Sequence, residues 1–299
     1  MSIPTSVYVP DATLYASYSS NLVLDIQKAI YALNGQIAPV VNGLFLQDIY
    51  ANRPAPGTAG RFYFATDTVT LYYDNGSAWK QISFGLIKQT VYAAAASGTF
   101  TRDTRTIIAR VRAVGAGGAG GGATATDASH FCVGTGAGAG GSCEGWFLPG
   151  ATESYTVGTG GTGVSGGTGN NGTATTFGTW LTCNGGSGGT VIQLATANSN
   201  ITTYAAGGTV TTSGGTFVTR SGESGQWGIN TTAAYFLAGS GANTLYGVGG
   251  RTAVSATGNG PAASGNGAGG GGAANGVSQG ANKTGGNGTD GLIIVEEFG

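Results

Sequence analysis

The sequence predicts a mainly β fold: a short N-terminal coiled-coil helix, a small β-meander, then a glycine-rich β domain with polyglycine-II-like runs, assembled as a homotrimer. Three observations carry this. Of 299 residues, 60 are glycine and only 8% are charged, against about 7% and about 25% in ordinary globular chains. Seven of those glycines fall in residues 1–112 and the other 53 in the 187 residues that follow, so two kinds of structure are joined near residue 113. Within the second part glycine recurs at every third position, between short apolar segments.

Composition also bounds function. Apolar residues make up 40% of the chain and the net charge is −1, which fits neither a solvated disordered tail nor the electrostatic footprint of a nucleic-acid binder. No apolar run approaches the roughly 20 residues that span a bilayer, so no membrane insertion is expected. "MSIPTSVYVPDATLY" carries neither a basic segment nor an apolar one, so no secretory leader is expected. Three cysteines are too few for a disulfide framework and fit assembly in a reducing cytosol.

Residues 1–52 form an attachment and trimerisation segment. Val23, Ile26, Ile30, Leu33 and Ile37 are spaced alternately by three and four, and Val40 and Leu44 continue the pattern. This is a heptad seam, and isoleucine at both core positions favours three strands. An ordinary amphipathic helix packed on its own domain is the alternative. Gly35 and Pro39 keep the helix short, and so few turns need a partner surface.

Residues 53–84 form the meander. "RFYFA", "TLYYD" and "AWKQI" are aromatic, β-favouring segments. Asn75-Gly76 between the last two predicts a type I′ turn. About 25 residues of meander hardly make a core alone.

Residues 85–299 form the glycine-rich β domain. "RTIIARVRAV", "EGWFLPGATESYTVG", "ATTFGTWLT" and "GLIIVEEF" read as strands between the glycine runs. Gly160, Gly163, Gly166, Gly169 and Gly172 hold a strict period of three, the period of the polyproline II helix, and glycine on one face lets backbones approach closely. Buried amides must find partners, so neighbouring runs are expected to bond to one another.

The order "SGTFTRDTRTIIARVRAVGAGGAGGG", "GAGGSCEGWFLPGATESYTVGTGGTG", "NNGTATTFGTWLTCNGGSGG" and "GGNGTDGLIIVEEFG" resembles the glycine-rich domains of bacteriophage tail-fibre and tail-tip proteins. "RPAPGTAGRFYFATDTVTLYYDNGSAWKQI" is similar to a short module of phage fibre proteins. Together these cover about 53–189 and 258–299, and residues 190–257 read as a variable insertion. The resemblance implies a virion protein made in the host cytoplasm, attached to another virion protein through its N-terminal region.

Familiar chemical motifs mostly dissolve on inspection. In "VGAGGAGGG", Gly115, Gly117 and Gly120 spell the dinucleotide fingerprint, but no helical pattern follows and the spacing recurs at Gly136/Gly138/Gly141 and Gly267/Gly269/Gly272. "GANKTG" lacks the second glycine of a phosphate loop. Asp127, Ser129 and His130 sit too close in sequence for a triad. Cys132, Cys143 and Cys183 read as small buried side chains; a Cys132–Cys143 disulfide and a zinc set with His130 are the alternatives. Glu296 and Glu297, adjacent on the last strand, are expected to point to opposite faces. No catalytic residue, metal or cofactor is assigned.

The insertion holds the binding candidates. Phe217, Arg220, Trp227, Tyr235, Phe236 and Tyr246 stand out from a background of Gly, Ser, Thr and Asn, a composition similar to antibody paratopes. Core filling by the same aromatics is the competing reading. The expected function is a virion fibre whose head binds a host-surface glycan or protein without catalysis. A purely structural capsid, collar or tail fibre, and a glycan-degrading fibre with paired carboxylates, are the alternatives.

Overall fold

The computed structural model describes residues 45–82, 85–196, 200–201, 203–232, 235–252 and 257–299. The heptad seam of Val23, Ile26, Ile30, Leu33 and Ile37 lies outside them. The described residues are mainly β, and the chain divides into two compact units, residues 1–83 and 84–299.

In the first unit β1 (Phe45–Asp48), β2 (Phe62–Ala65), β3 (Thr70–Asp74) and β4 (Trp79–Ile82) form one sheet in that order. The three aromatic segments give the predicted antiparallel meander, and β1 adds a parallel edge strand. Tyr63 is buried and its hydroxyl donates to the Ile49 carbonyl at 2.6 Å. The Arg53 guanidinium lies over the rings of Tyr50 and Tyr72, at 4.5 and 4.4 Å. Asp74 is also buried, and accepts from Arg61 and from the amides of Gly57, Thr58 and Gly76. Burial alone would raise its carboxyl, but Arg61 and these amides outweigh that and hold it down at about 2.

The turn at Asn75-Gly76 differs from expectation. A type I′ turn needs positive φ at both central residues, and only Gly76 has it, at 91°. Asn75 instead spends its side-chain oxygen on the amides of Ser77 and Ala78, which widens the connection to four residues.

In the second unit the strands run β5 (Leu86–Tyr92), β6 (Ala96–Thr101), β7 (Ile108–Val114), β8 (His130–Gly134), β9 (Ser142–Phe147), β10 (Thr152–Val157), β11 (Thr175–Phe177) and β12 (Leu181–Cys183). They continue with β13 (Val191–Ala195), β14 (Asn200–Ile201), β15 (Val210–Thr212), β16 (Thr216–Arg220), β17 (Ile229–Thr232), β18 (Tyr235–Leu237), β19 (Gly247–Val248), β20 (Ser264–Gly265), β21 (Ala274–Asn275) and β22 (Leu292–Phe298). Two five-stranded antiparallel sheets, β16-β9-β7-β22-β5 and β15-β12-β11-β10-β6, pack face to face. Their shared core holds Val111, Phe147, Ile293 and Val295 from one sheet and Phe100, Val157, Phe177 and Leu181 from the other. On β22 the strand period sends Glu296 outward to Arg112, at 2.9 Å, and Glu297 inward, where it accepts from Thr106 and the Asp103 amide. A second core of Phe131, Val133, Phe236, Ala238 and Ala274 lies among the short strands β8, β18 and β21.

Glycine runs connect the two cores. Residues 115–123 leave β7, residues 135–141 lead from β8 into β9, and residues 284–291 lead into β22. Backbone bonding within the first run turns by a third at each residue. Gly115, Gly118 and Gly121 donate to the 135–141 run; Ala116, Ala119 and Gly122 donate to 167–173; Gly117, Gly120 and Ala123 donate to 283–289. The same run accepts from Gly161, from Gly186 and Gly189, and from Gly270 and Ala273. It therefore has six neighbours, the arrangement of a polyglycine II lattice with three residues per turn. The runs at 135–141 and 267–273 are likewise surrounded. Each seven-residue run is roughly 20 Å long at ~3.1 Å per residue. Close approach is what demands glycine: a Cβ built on Gly117 or Gly120 would strike the carbonyl of Ala268 or Gly271.

The strict period from Gly160 to Gly172 belongs to two runs rather than one. Gly160 and Gly163 pack against the carbonyls of Gly288 and Gly285, and Gly169 and Gly172 against those of Ala119 and Ala116. Gly166 does not pack in this way. It takes φ +64° and turns the chain, so that Asn170 and Thr173 bond back to Thr162 and Thr159. The insertion, too, is built into the lattice: Gly208 donates to Ala139, Gly222 to Gly208, and Ala242 to Ala137.

Candidate functional site

The glycine fingerprint has no amides to offer a phosphate. Every backbone N–H from Gly115 to Gly122 already donates to a neighbouring run, at 2.8 to 3.2 Å. Asp127, Ser129 and His130 share one turn, but Asp127 Oδ1 and Ser129 Oγ both meet the same His130 nitrogen, Nδ1, at 2.8 and 3.1 Å. A triad needs the acid on one ring nitrogen and the nucleophile on the other. His130 and Ser129 together hold the Asp127 carboxyl down at about 2.

The cysteines pair differently from the disulfide considered above. Cys132 lies on β8, in a separate small cluster with Ala123 and Ala273. Cys143 and Cys183 face each other across the sandwich with their sulfurs 3.3 Å apart, both buried as free thiols. The hydrogen bond to Cys143, and then burial, push the Cys183 thiol far up; burial also raises the Cys132 thiol. The described residues hold no group of three His, Cys, Asp or Glu side chains placed to bind a metal, and none of their helices is long and apolar enough to cross a membrane.

The six binding candidates separate. Phe236 is a core residue, 6% exposed, packed with Phe131 and Val133. Phe217 also turns inward: its ring stands 5.6 Å from Phe147 and fills the space that Gly145 leaves open. Both corrections follow from strand parity, which places alternate side chains on opposite faces. Tyr235, next to Phe236 on β18, is accordingly exposed. Arg220 pairs with Glu223 at 3.0 Å and joins Tyr246, Val218 and the exposed Leu245 along a shallow groove. Trp227 lines a larger cavity elsewhere.

That cavity, of about 510 Å3, is bounded by Tyr204, Ser224, Gly225, Gln226, Trp227, Ile229 and Leu237. The lattice explains its making. Gly222, Gly225 and Gly228, three apart, turn toward Ala139, Gly136 and Val133, which leaves Ser224, Gln226 and Trp227 to project from the exposed side of the run. The floor is fixed: Gly225 donates to Ala205, Gln226 donates to Ser240, and the Gln226 carbonyl accepts from Gly136. Tyr204 and Trp227 are 62% and 51% exposed, large apolar faces left in water. The sequence reading missed Tyr204, Ser224 and Gln226. The period-three glycines of 222–228 were the available signal, since they mark which neighbours must face outward.

A family model for a glycine-rich domain matches residues 94–297, two-thirds of the chain and nearly all of the second unit. The chain belongs to this glycine-rich domain family. The matched range covers every strand of the sandwich except β5, up to the final residue of β22, together with the lattice and the Trp227 cavity. The comparison with curated proteins returned no match.

Proposed function

We propose that the chain is a structural fibre protein of a phage particle, whose glycine-rich head binds a receptor on the host surface without catalysis. In this reading the Val23, Ile26, Ile30, Leu33, Ile37 seam makes it a homotrimer, and the N-terminal region docks it to another virion protein. The fibre-like order of modules supports this reading. The observation that carries it is the cavity at Trp227, where aromatic faces and uncommitted polar groups meet on a fixed backbone floor. Three copies on one fibre would gain avidity of about 10²–10⁴ over a single site without any new contact.

Purified protein is expected to block adsorption of the phage to its host, and Trp227→Ala to abolish blocking while leaving the melting temperature unchanged. Light scattering should give three times the 29.3 kDa chain mass. A monomer removes the trimer from the reading. Folded trimer that fails to block adsorption leaves a purely structural fibre.

A further inference from the structure

We infer that the Trp227 cavity takes a neutral sugar residue of a glycan chain, stacked on the indole and flanked by Tyr204. This rests on the adhesin reading and names the ligand class of its site. The first argument is shape and surface. The volume, about 510 Å3, lies within the ~300–1,000 Å3 typical of small-ligand sites. Aromatic rings carry a negative π-face, which suits the polarised C–H face of a pyranose.

The second argument is hydrogen-bonding supply. Among the described residues, the Trp227 Nε1–H, the Tyr204 hydroxyl, the Gln226 side-chain amide and the Ser224 hydroxyl have no protein partner. Donors and acceptors are both present, as the hydroxyls of a sugar require. A purely apolar peptide side chain would leave these groups unpaired on burial.

The third argument is charge. None of the described lining residues is Asp, Glu, Lys, Arg or His. The adjacent Glu223 is already engaged with Arg220. A sialic acid, uronate or phosphate would lose its hydration there with no countercharge to replace it, so a neutral sugar is favoured. Preorganisation completes the case, because the lattice amides beneath Gly225 and Gln226 are bonded before any ligand arrives.

The test titrates the full-length protein with maltotriose, cellotriose, mannotriose and 3′-sialyllactose, read by tryptophan fluorescence and by ligand-observed NMR. At least one neutral trisaccharide should bind, and no tighter binding is expected for the sialylated one. Trp227→Ala should weaken binding about ten-fold or more, Gln226→Ala by a smaller factor, and Trp227→Phe should retain most of it. The melting temperature of each variant reports whether it folds. Binding that is unchanged in folded Trp227→Ala, or a preference for the sialylated sugar, overturns the inference. So does a failure of all neutral sugars to bind while wild type still blocks adsorption to periodate-treated cells; in that case the adhesin reading survives with a protein receptor. Conversely, Trp227-dependent sugar binding without adsorption blocking supports the site and removes the adhesin reading.

Discussion

Replacing Gly120 by alanine adds one carbon where two interior glycine runs touch. The new Cβ would strike the Gly271 carbonyl and the Gly272 amide nitrogen, both backbone, so no side chain can swing away. Ordinary Cβ contact begins at 3.4 Å, and the 267–273 run must retreat by more than an ångström. That run is fixed close to this point by Gly286→Gly271, Gly272→Gly239 and Gly271→Pro261 hydrogen bonds of 2.8 to 2.9 Å. Overpacking costs about 1–3 kcal/mol, and each buried backbone group left unpaired costs about 1–3 kcal/mol. The lower entropy of unfolded alanine returns only about 0.4–1 kcal/mol. With one or two bonds lost, Gly120→Ala should destabilise the second unit by about 3–5 kcal/mol, or roughly 6–20 °C in melting temperature at ~2–4 °C per kcal/mol. Gly258→Ala is the control, since its Cβ meets nothing within 4 Å and its φ is ordinary; it should be neutral or stabilising by about 0.4–1 kcal/mol. Urea denaturation followed by tryptophan emission measures both, since Trp180 stacks on Phe147 in the core of the sandwich. A Gly120→Ala protein within about 1 kcal/mol of wild type would refute the lattice argument.

Three further outcomes are expected. Asp74 titrates near 2 in the folded protein and near 3.9 unfolded, so its stabilisation of the first unit is complete above about pH 4 and lost as pH falls toward 2. Asp74→Asn should lower the calorimetric transition of that unit at pH 7 and flatten its acid dependence; an unchanged pH profile would count against the buried pair. Native protein should react negligibly with a thiol reagent and show three thiols once denatured, because all three cysteines are buried and free; rapid native labelling of any would contradict this. Adsorption blocking should change little between low and moderate salt, since the described lining residues of the Trp227 cavity carry no charge, and a steep fall with added salt would point to a different binding surface.

The strands were legible because their aromatic and β-branched runs stand out against glycine; "TLYYD" and "LIIVEEF" became β3 and β22. The period of three was legible as well, yet its meaning was not. Nothing in "GGTGVSGGTGNNG" marks Gly166 as a turn and Gly169 as a packing contact, because the difference lies in which carbonyl stands opposite. Pairing was hidden for the same reason. Cys143 meets Cys183 only because β9 and β12 belong to facing sheets. The site was half legible: Trp227, Tyr235 and Phe236 stood out together in the sequence, with surface and core both open to them, and the structure exposes the first two and buries the third. Tyr235 and Phe236 are alike in sequence context, flanked by Thr, Ala and Leu with no alternation to fix parity.

The outward residues of the 221–228 run have a consequence for how such a protein can change. Stability there depends on Gly222, Gly225 and Gly228 and on main-chain bonds that every amino acid except proline can make. Ser224, Gln226 and Trp227 contribute contact surface and almost nothing to the fold. A library randomised at those three positions should return mostly folded protein, whereas one randomised at the three glycines should return almost none. The scaffold and its outward surface are therefore written in different letters of the same short segment, so the surface can change while the backbone lattice beneath it stays as it is.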